Sequence, residues 1–575
     1  MIILAGYICV APVFAQDADD QKRGVARLSF VQGDVSVQRG DSGDWVAAAV
    51  NAPVLTNDRI ATGPNARAEV QFNAAAIVRL NGSAEITMTQ LEDSRSQMGV
   101  SRGTVTFRVL RASNADMEVD TPSVSVRPSK IGAYRISVTD AGETHVSARS
   151  GEVEVFSPTG SQWVRSGQKL LARGPAADPE FQIVRAAPDD EWDRWSDSRD
   201  QPLSRSKSAQ YVGPGVYGAE DLDPYGNWVD VPGYGYSWHP VAADGWAPYR
   251  QGRWVWVDWY GWTWVSYEPW GWAPYHYGRW FYEPAFGWCW YPGLIGVRHY
   301  WAPGLVAFFG FGGGASVGFG FGNVGWVPLA PYEVLHPWWG RGYYGGAAYI
   351  NRSVNITNIN VTNVYRNARV TNGVTAVSEG DFRAGRFNSF VRPSSEQIRQ
   401  AGVVRGPMPI APDRAHLQFS ERQAAFIPRS SGNTRFFTRE QPSPAARVSF
   451  AEQRRALDSG ARLGAESQSL RGQSTAPGWQ RFGNTSGTQG TAPQTESLAP
   501  SANRGWNRFG NSAPAAPRPE TRQAPQRGPS ASPPPAQRSG GGGFSAPRGG
   551  GGSRGPAGAA PRGAGGGNRE GSHNR

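Results

Sequence analysis

Tryptophan recurs in this chain at a fixed interval. Gly226-Asn227-Trp228, Gly252-Arg253-Trp254 and Gly278-Arg279-Trp280 are spaced by 26 residues. So are Gly235-Tyr236-Ser237-Trp238, Gly261-Trp262-Thr263-Trp264 and Gly287-Trp288-Cys289-Trp290. A third element, Gly245-Trp246-Ala247-Pro248-Tyr249, returns as Gly271-Trp272-Ala273-Pro274-Tyr275 and fades to Trp301-Ala302-Pro303. Three registers sharing one period mark a structural repeat. Within a unit, Trp254-Val255-Trp256-Val257 alternates, Asp258 to Gly261 turns, and Trp262-Thr263-Trp264-Val265 returns. That is the pattern of a β-hairpin. Trp at i and i+2 shares a face, and each indole can bury roughly 200 Å². Residues 213–346 are therefore expected to form an antiparallel β-meander of about six strands with an aromatic core. The one-face rows, Trp228, Trp254, Trp256, Trp262, Trp264, Trp280, Trp288 and Trp290, are assigned to that core. Trp246, Tyr249, Trp272 and Tyr275 flank proline and are assigned to the surface as candidate ligand-stacking rings.

Upstream, residues 25–175 read as β throughout. Ala68-Glu69-Val70-Gln71-Phe72, Thr104-Val105-Thr106-Phe107-Arg108-Val109 and Tyr134-Arg135-Ile136-Ser137-Val138 alternate apolar and polar residues between turn signals. About ten such runs without a helical period predict a β-sandwich or β-roll. Residues 186–212 predict one short linker helix that docks by Trp192 and Trp195. The whole chain is expected to be mainly β.

Several segments resemble known families. Gly33-Asp34-Val35-Ser36-Val37, Asn57-Asp58-Arg59-Ile60-Ala61-Thr62-Gly63-Pro64-Asn65-Ala66-Arg67-Ala68, Val78-Arg79-Leu80-Asn81-Gly82-Ser83-Ala84-Glu85-Ile86 and Gly132-Ala133-Tyr134-Arg135-Ile136 resemble the FecR domain. The resemblance implies an all-β extracytoplasmic module used for contacts. The family's best-known members pass a periplasmic signal through one membrane helix, and no apolar run of about 20 residues is present to provide it. Asp221-Leu222-Asp223-Pro224-Tyr225-Gly226-Asn227-Trp228 and Gly271-Trp272-Ala273-Pro274-Tyr275-His276-Tyr277-Gly278-Arg279-Trp280 are similar to DUF6600, a domain of unknown function that often follows a FecR module in exported bacterial proteins.

Composition separates the remainder. Residues 347–420 are Asn-rich and β-prone, with one or two strands expected. Residues 421–575 are rich in Arg, Gly and Pro and are expected to be disordered, because nothing there offsets the entropy of ordering the backbone. From Arg481 to Arg575, 12 Arg face only Glu496, Glu520 and Glu570, so most of the net charge of +11 lies in this tail. Two echoes within it, Trp479-Gln480-Arg481-Phe482 and Trp506-Asn507-Arg508-Phe509, are candidate docking motifs. Met1 to Ala15 reads as a signal peptide ending in Val13-Phe14-Ala15. Its removal would leave Cys289 as the sole thiol. Export points the tail toward envelope proteins, a cell-wall or exopolysaccharide, or an anionic membrane surface, and away from nucleic acid.

Catalytic signatures are missing. The seven His show no zinc spacing, and neither a Gly-x-Ser-x-Gly elbow nor a phosphate loop occurs. Glu268 and Glu283 are the carboxylates to weigh as a glycosidase pair. His239, His276, His299 and His336 are expected to bond among indoles, and Cys289 to sit on a strand. No catalytic residue, metal or cofactor is assigned. The expected function is a non-enzymatic envelope scaffold, the alternatives being carbohydrate binding through exposed Trp and Tyr, and FecR-like envelope sensing.

Overall fold

The computed structural model describes residues 23–113, 115–128, 130–174, 176–313, 320–339, 355–358, 360–428, 434–442 and 448–459. The expected signal peptide and both tail motifs lie outside the described residues. The rest is mainly β, as expected.

Seventeen strands, from Ala26–Gln32 to Glu180–Arg185, build the N-terminal module. Hairpins go alternately to two rows of strands that share one long member, Arg95–Val109. The first half of that strand pairs with Glu85–Leu91 and, in parallel, with Asp116–Asp120. Its second half pairs with Ala76–Leu80 and Gly132–Val138. Gly103 marks the joint with φ +81, and a Cβ there would lie 2.5 Å from the Ala84 Cα. A residue free to adopt positive φ is needed at this crossing. The ten expected strands become seventeen because pieces such as Pro53–Val54 and Trp45–Ala47 are too short to show alternation.

The linker helix spans Glu191–Arg205, opened by a capping box between Asp190 and Asp193. Trp192 stacks on Trp195 at 4.8 Å, and its Nε1 donates to Thr106 Oγ1 at 2.8 Å. The helix thus docks by the two indoles, and a buried charge network reinforces it. Arg79 Nε donates to Glu69 at 2.7 Å and Arg199 reaches the same carboxylate at 2.9 Å. Burial alone would raise the Glu69 pKa, but the two guanidinium groups bring it down to about 2.

The repeats form three hairpins: Gly226–Val231 with Gly235–Pro240, Gly252–Val257 with Gly261–Ser266, and Arg279–Glu283 with Gly287–Tyr291. They do not join in chain order. The first and third meet through Trp238 and Trp290 to make a four-stranded sheet, while the second remains its own pair. The row residues Trp254, Trp256, Trp262, Trp264, Trp280, Trp288 and Trp290 are buried, and Trp228 is half-buried. Among the described residues, the indole N–H groups of Trp238, Trp254, Trp262 and Trp264 have no conventional acceptor. Each of these rings has a neighbour packed edge-on or nearly so, such as Trp270 on Trp238 and Phe382 on Trp262. Aromatic faces are the acceptors at hand for these donors.

A five-stranded sheet follows, in the order Asn355–Asn358, Gly402–Arg405, Val306–Gly313, Phe321–Pro328 and Thr375–Ser378. Three of its strands come from the Asn-rich extension, where one or two were expected. Order also continues past the boundary placed at 420. Phe437 bridges to Thr121, and on the helix 450–459 Gln453 accepts from Trp256 Nε1 at 2.8 Å and donates to Asp258 at 2.9 Å. One contiguous apolar core runs through the N-terminal module, the repeats and part of the extension. No helix among the described residues is long and apolar enough to cross a membrane.

Candidate functional site

The N-terminal module and the repeats meet along a seam of buried polar side chains. Arg27 donates to Gln71 at 2.7 Å within its own module and to Asp221 at 2.6 Å across the seam. Arg39 reaches the carbonyls of Trp256 at 2.9 Å and Leu417 at 3.2 Å, and pairs with Asp41 at 3.0 Å. Asn51, held at φ +65 in a turn, donates to the Glu268 carbonyl at 2.8 Å. The Tyr217 hydroxyl donates to the Val25 carbonyl. These groups fix the mutual orientation of the two modules, because each would lose its partner if the modules parted.

At one end the seam opens into a cleft of about 540 Å³, a size suited to a small ligand or a side-chain cluster. The N-terminal module contributes Arg23, Asp93 and Arg111, and the repeat module contributes Tyr260, Arg298 and Trp301. Arg298 pairs with Asp93 across the opening. The Arg23 guanidinium lies 3.8 Å from the centre of the Trp259 ring. Tyr300, exposed at the rim, lies beneath the Arg298 guanidinium. Guanidinium groups beside phenol and indole faces can hold flat polar groups by stacking and charge-assisted hydrogen bonds.

Two family models match in sequence order. The FecR protein family matches residues 58–154, and a family of unknown function, DUF6600, matches residues 219–333. A FecR module precedes a DUF6600 module. Two crystal structures of a candidate anti-sigma factor from Parabacteroides distasonis also align, at 18% and 17% identity. Each alignment covers 22% of this chain and 59% of the other, with a TM-score of 0.20. The chain therefore spans less than two thirds of the length of those structures. No curated protein matches the chain.

Within the DUF6600 module, the candidate stacking rings are not where the sequence placed them. Tyr249, Trp272 and Tyr275 are fully buried, and Trp246 is half-buried. The Ala-Pro-Tyr elements turn inward. The Tyr249 hydroxyl donates to the Tyr275 carbonyl at 2.7 Å and accepts from Leu305 N at 3.0 Å. Proline beside an aromatic signals a turn, but the side of the turn that faces solvent is set by tertiary contacts. The four rings therefore offer no shared sugar-stacking surface. The cleft, assembled from residues far apart in sequence, carried no local signal.

Glu268 is buried as well. It accepts from Trp246 Nε1 at 2.7 Å, Ser266 Oγ at 3.0 Å and the Tyr275 hydroxyl. Glu283, at the end of a strand in the third hairpin, has no hydrogen bond to it among the described residues. Burial pushes the Glu268 carboxyl up to about 7, the three neutral donors only partly opposing the shift. The folded state thus keeps a proton that the unfolded chain releases near pH 4.5. Stability is expected to fall as pH rises from about 4.5 to 7, by about 3 kcal/mol. Glu268→Gln should abolish this dependence, leaving the variant more stable than the parent at pH 8 and equal to it at pH 4.5. Denaturant titrations of both proteins at the two pH values check it, and parallel curves would show that Glu268 is not the titrating group.

Other candidates are structural too. His276 is buried between Trp272 and Trp301 and bonds the Ala302 carbonyl through Nδ1 at 2.7 Å. Desolvation lowers its pKa to about 3. Burial pushes the Cys289 thiol up to about 12, which disfavours the reactive thiolate at neutral pH. No group of three or more metal-ligating side chains occurs among the described residues.

Proposed function

We propose that this chain is a non-enzymatic, exported envelope protein of sensing or regulatory type. Its FecR and DUF6600 modules act as one rigid interaction body for an envelope protein or polysaccharide. The continuous core beneath the two modules carries the reading, since it joins them into one body that presents the cleft at its opening. The FecR match supports the regulatory side, and the DUF6600 match is to a family of unknown function. Burial of Tyr249, Trp272 and Tyr275 weighs against the repeats themselves as a carbohydrate-stacking face.

A photo-crosslinking residue at Tyr300 tests the proposal in intact cells, with the same residue at exposed Tyr236 as control. Purified protein is titrated in parallel with peptidoglycan fragments and glucans, following Trp fluorescence. A defined envelope protein captured from 300 and not from 236 is the expected result for a protein partner. Saturable quenching lost in Arg111→Ser is expected for a polysaccharide. Neither signal, or recovery of the protein from the cytosol, overturns the proposal.

A further inference from the structure

One segment lies on the FecR module like a bound peptide. Residues 434–442 run beside Asp116–Asp120, an inner strand flanked by Arg95–Val109 and Ser125–Arg127, and meet its end at Thr121, more than 300 positions away in sequence. Phe437 N donates to the Thr121 carbonyl at 2.9 Å, making a single antiparallel bridge just past the end of that strand. The Phe436 ring lies against the backbone of Gly99, where a Cβ would come within 2.5 Å of the ring. Arg439 donates through its backbone N to Glu118 at 2.8 Å and through Nη2 to Asp116 at 3.0 Å. Its guanidinium also faces the Phe156 ring at 5.4 Å. Glu440 is met in turn by the Arg95 side chain, and its carbonyl by Gln97 at 3.2 Å. Each feature of the segment has a matching feature on the module: a main-chain carbonyl at Thr121, a glycine slot for an aromatic ring, the half-buried Asp116 and buried Glu118 for an arginine, and an arginine for an acid. A main-chain hydrogen bond combined with pockets for neighbouring side chains is a general means of peptide recognition.

We propose that this face of the FecR module is a peptide-binding groove for extended Phe-Phe-x-Arg-acid segments of a partner protein, and that residues 434–442 are its occupant in cis. The groove is separate from the cleft and does not depend on how the cleft is used. Tethering gives the cis segment a high effective concentration, so a partner must displace it. The acid at Glu118 is 1% exposed with the segment in place. Arg95 at 3.2 Å and Ser125 at 2.8 Å hold the same carboxylate from within the module, so the acid stays paired while one arginine peptide is exchanged for another.

The test uses the full chain with a double substitution, Phe436→Ala with Arg439→Ala, which weakens the cis occupant, and a fluorescent peptide of residues 434–442 as probe. Saturable binding to this variant is expected, with affinity for the parent protein at least tenfold weaker. Adding Gly99→Val to the variant should fill the aromatic slot and reduce binding at least tenfold. Adding Glu118→Gln should do the same through the arginine. If the double variant unfolds, Arg439→Ala alone serves in its place. A folded variant that does not bind the peptide, or equal affinity in parent and variant, overturns the proposal.

Discussion

Trp254→Ala is expected to cost about 3–5 kcal/mol, a large share of the stability of a fold like this. The ring is fully buried, with Phe308 at 4.8 Å, Trp264 at 5.3 Å, Trp326 at 6.0 Å and Trp338 at 6.2 Å between centroids. Those neighbours come from the second hairpin, from two adjacent strands of the five-stranded sheet and from the segment that follows Phe321–Pro328. Because rigid rings from several elements cannot collapse into the space, the cavity would persist and its cost would add to the lost burial. Gly304, where a Cβ would sit 3.0 Å from the Trp254 ring, shows how closely the backbone approaches there. Urea titration against Tyr236→Ala, an exposed aromatic of the first hairpin, provides the comparison. The control should change by about 0.5 kcal/mol or less. A loss below about 1 kcal/mol in Trp254→Ala would show that the indole cluster is not the centre of the core.

Arg39→Ala should destabilise by a similar amount, about 3–5 kcal/mol, through a different mechanism. Its guanidinium and the Asp41 side chain are both nearly inaccessible to water. Truncation leaves that carboxylate buried without its counter-charge and strips a donor from the Trp256 and Leu417 carbonyls. Asp58 is affected as well: burial raises its pKa and Arg39 offsets part of that rise. The loss should shrink when Asp41→Asn is added, because the stranded charge is then removed. A double-mutant cycle by chemical denaturation measures this coupling. Additive losses would mean that Arg39 acts only through the carbonyls it bonds.

The sequence was most informative where chemistry repeats at short range. Trp254-Val255-Trp256 and its partner Trp262-Thr263-Trp264 alternate so regularly that hairpin, register and buried face follow from the pattern. Trp192 and Trp195 marked the docking face of the linker helix in the same way. Local pattern could not say which hairpins pair, since the first and third meet across the second through Trp238 and Trp290. Nor could it orient Tyr249 or Tyr275, whose direction depends on contacts with Leu305 and Glu268. The cleft and the peptide groove depend on side chains such as Arg298, Asp93, Arg439 and Glu118, which come together only through long-range closure.

The position of residues 434–442 bears on how the molecule is made. A ribosome completes Glu118 more than 300 residues before it reaches Arg439. For that interval the nascent N-terminal module has an unfilled slot at Gly99 and lacks the second guanidinium that Arg439 sets beside Arg95 at Glu118, the kind of incomplete surface that invites misassembly. Biogenesis of this protein therefore has a vulnerable window that closes only when its distal segment arrives, and chaperone dependence should be greatest for chains truncated before residue 434.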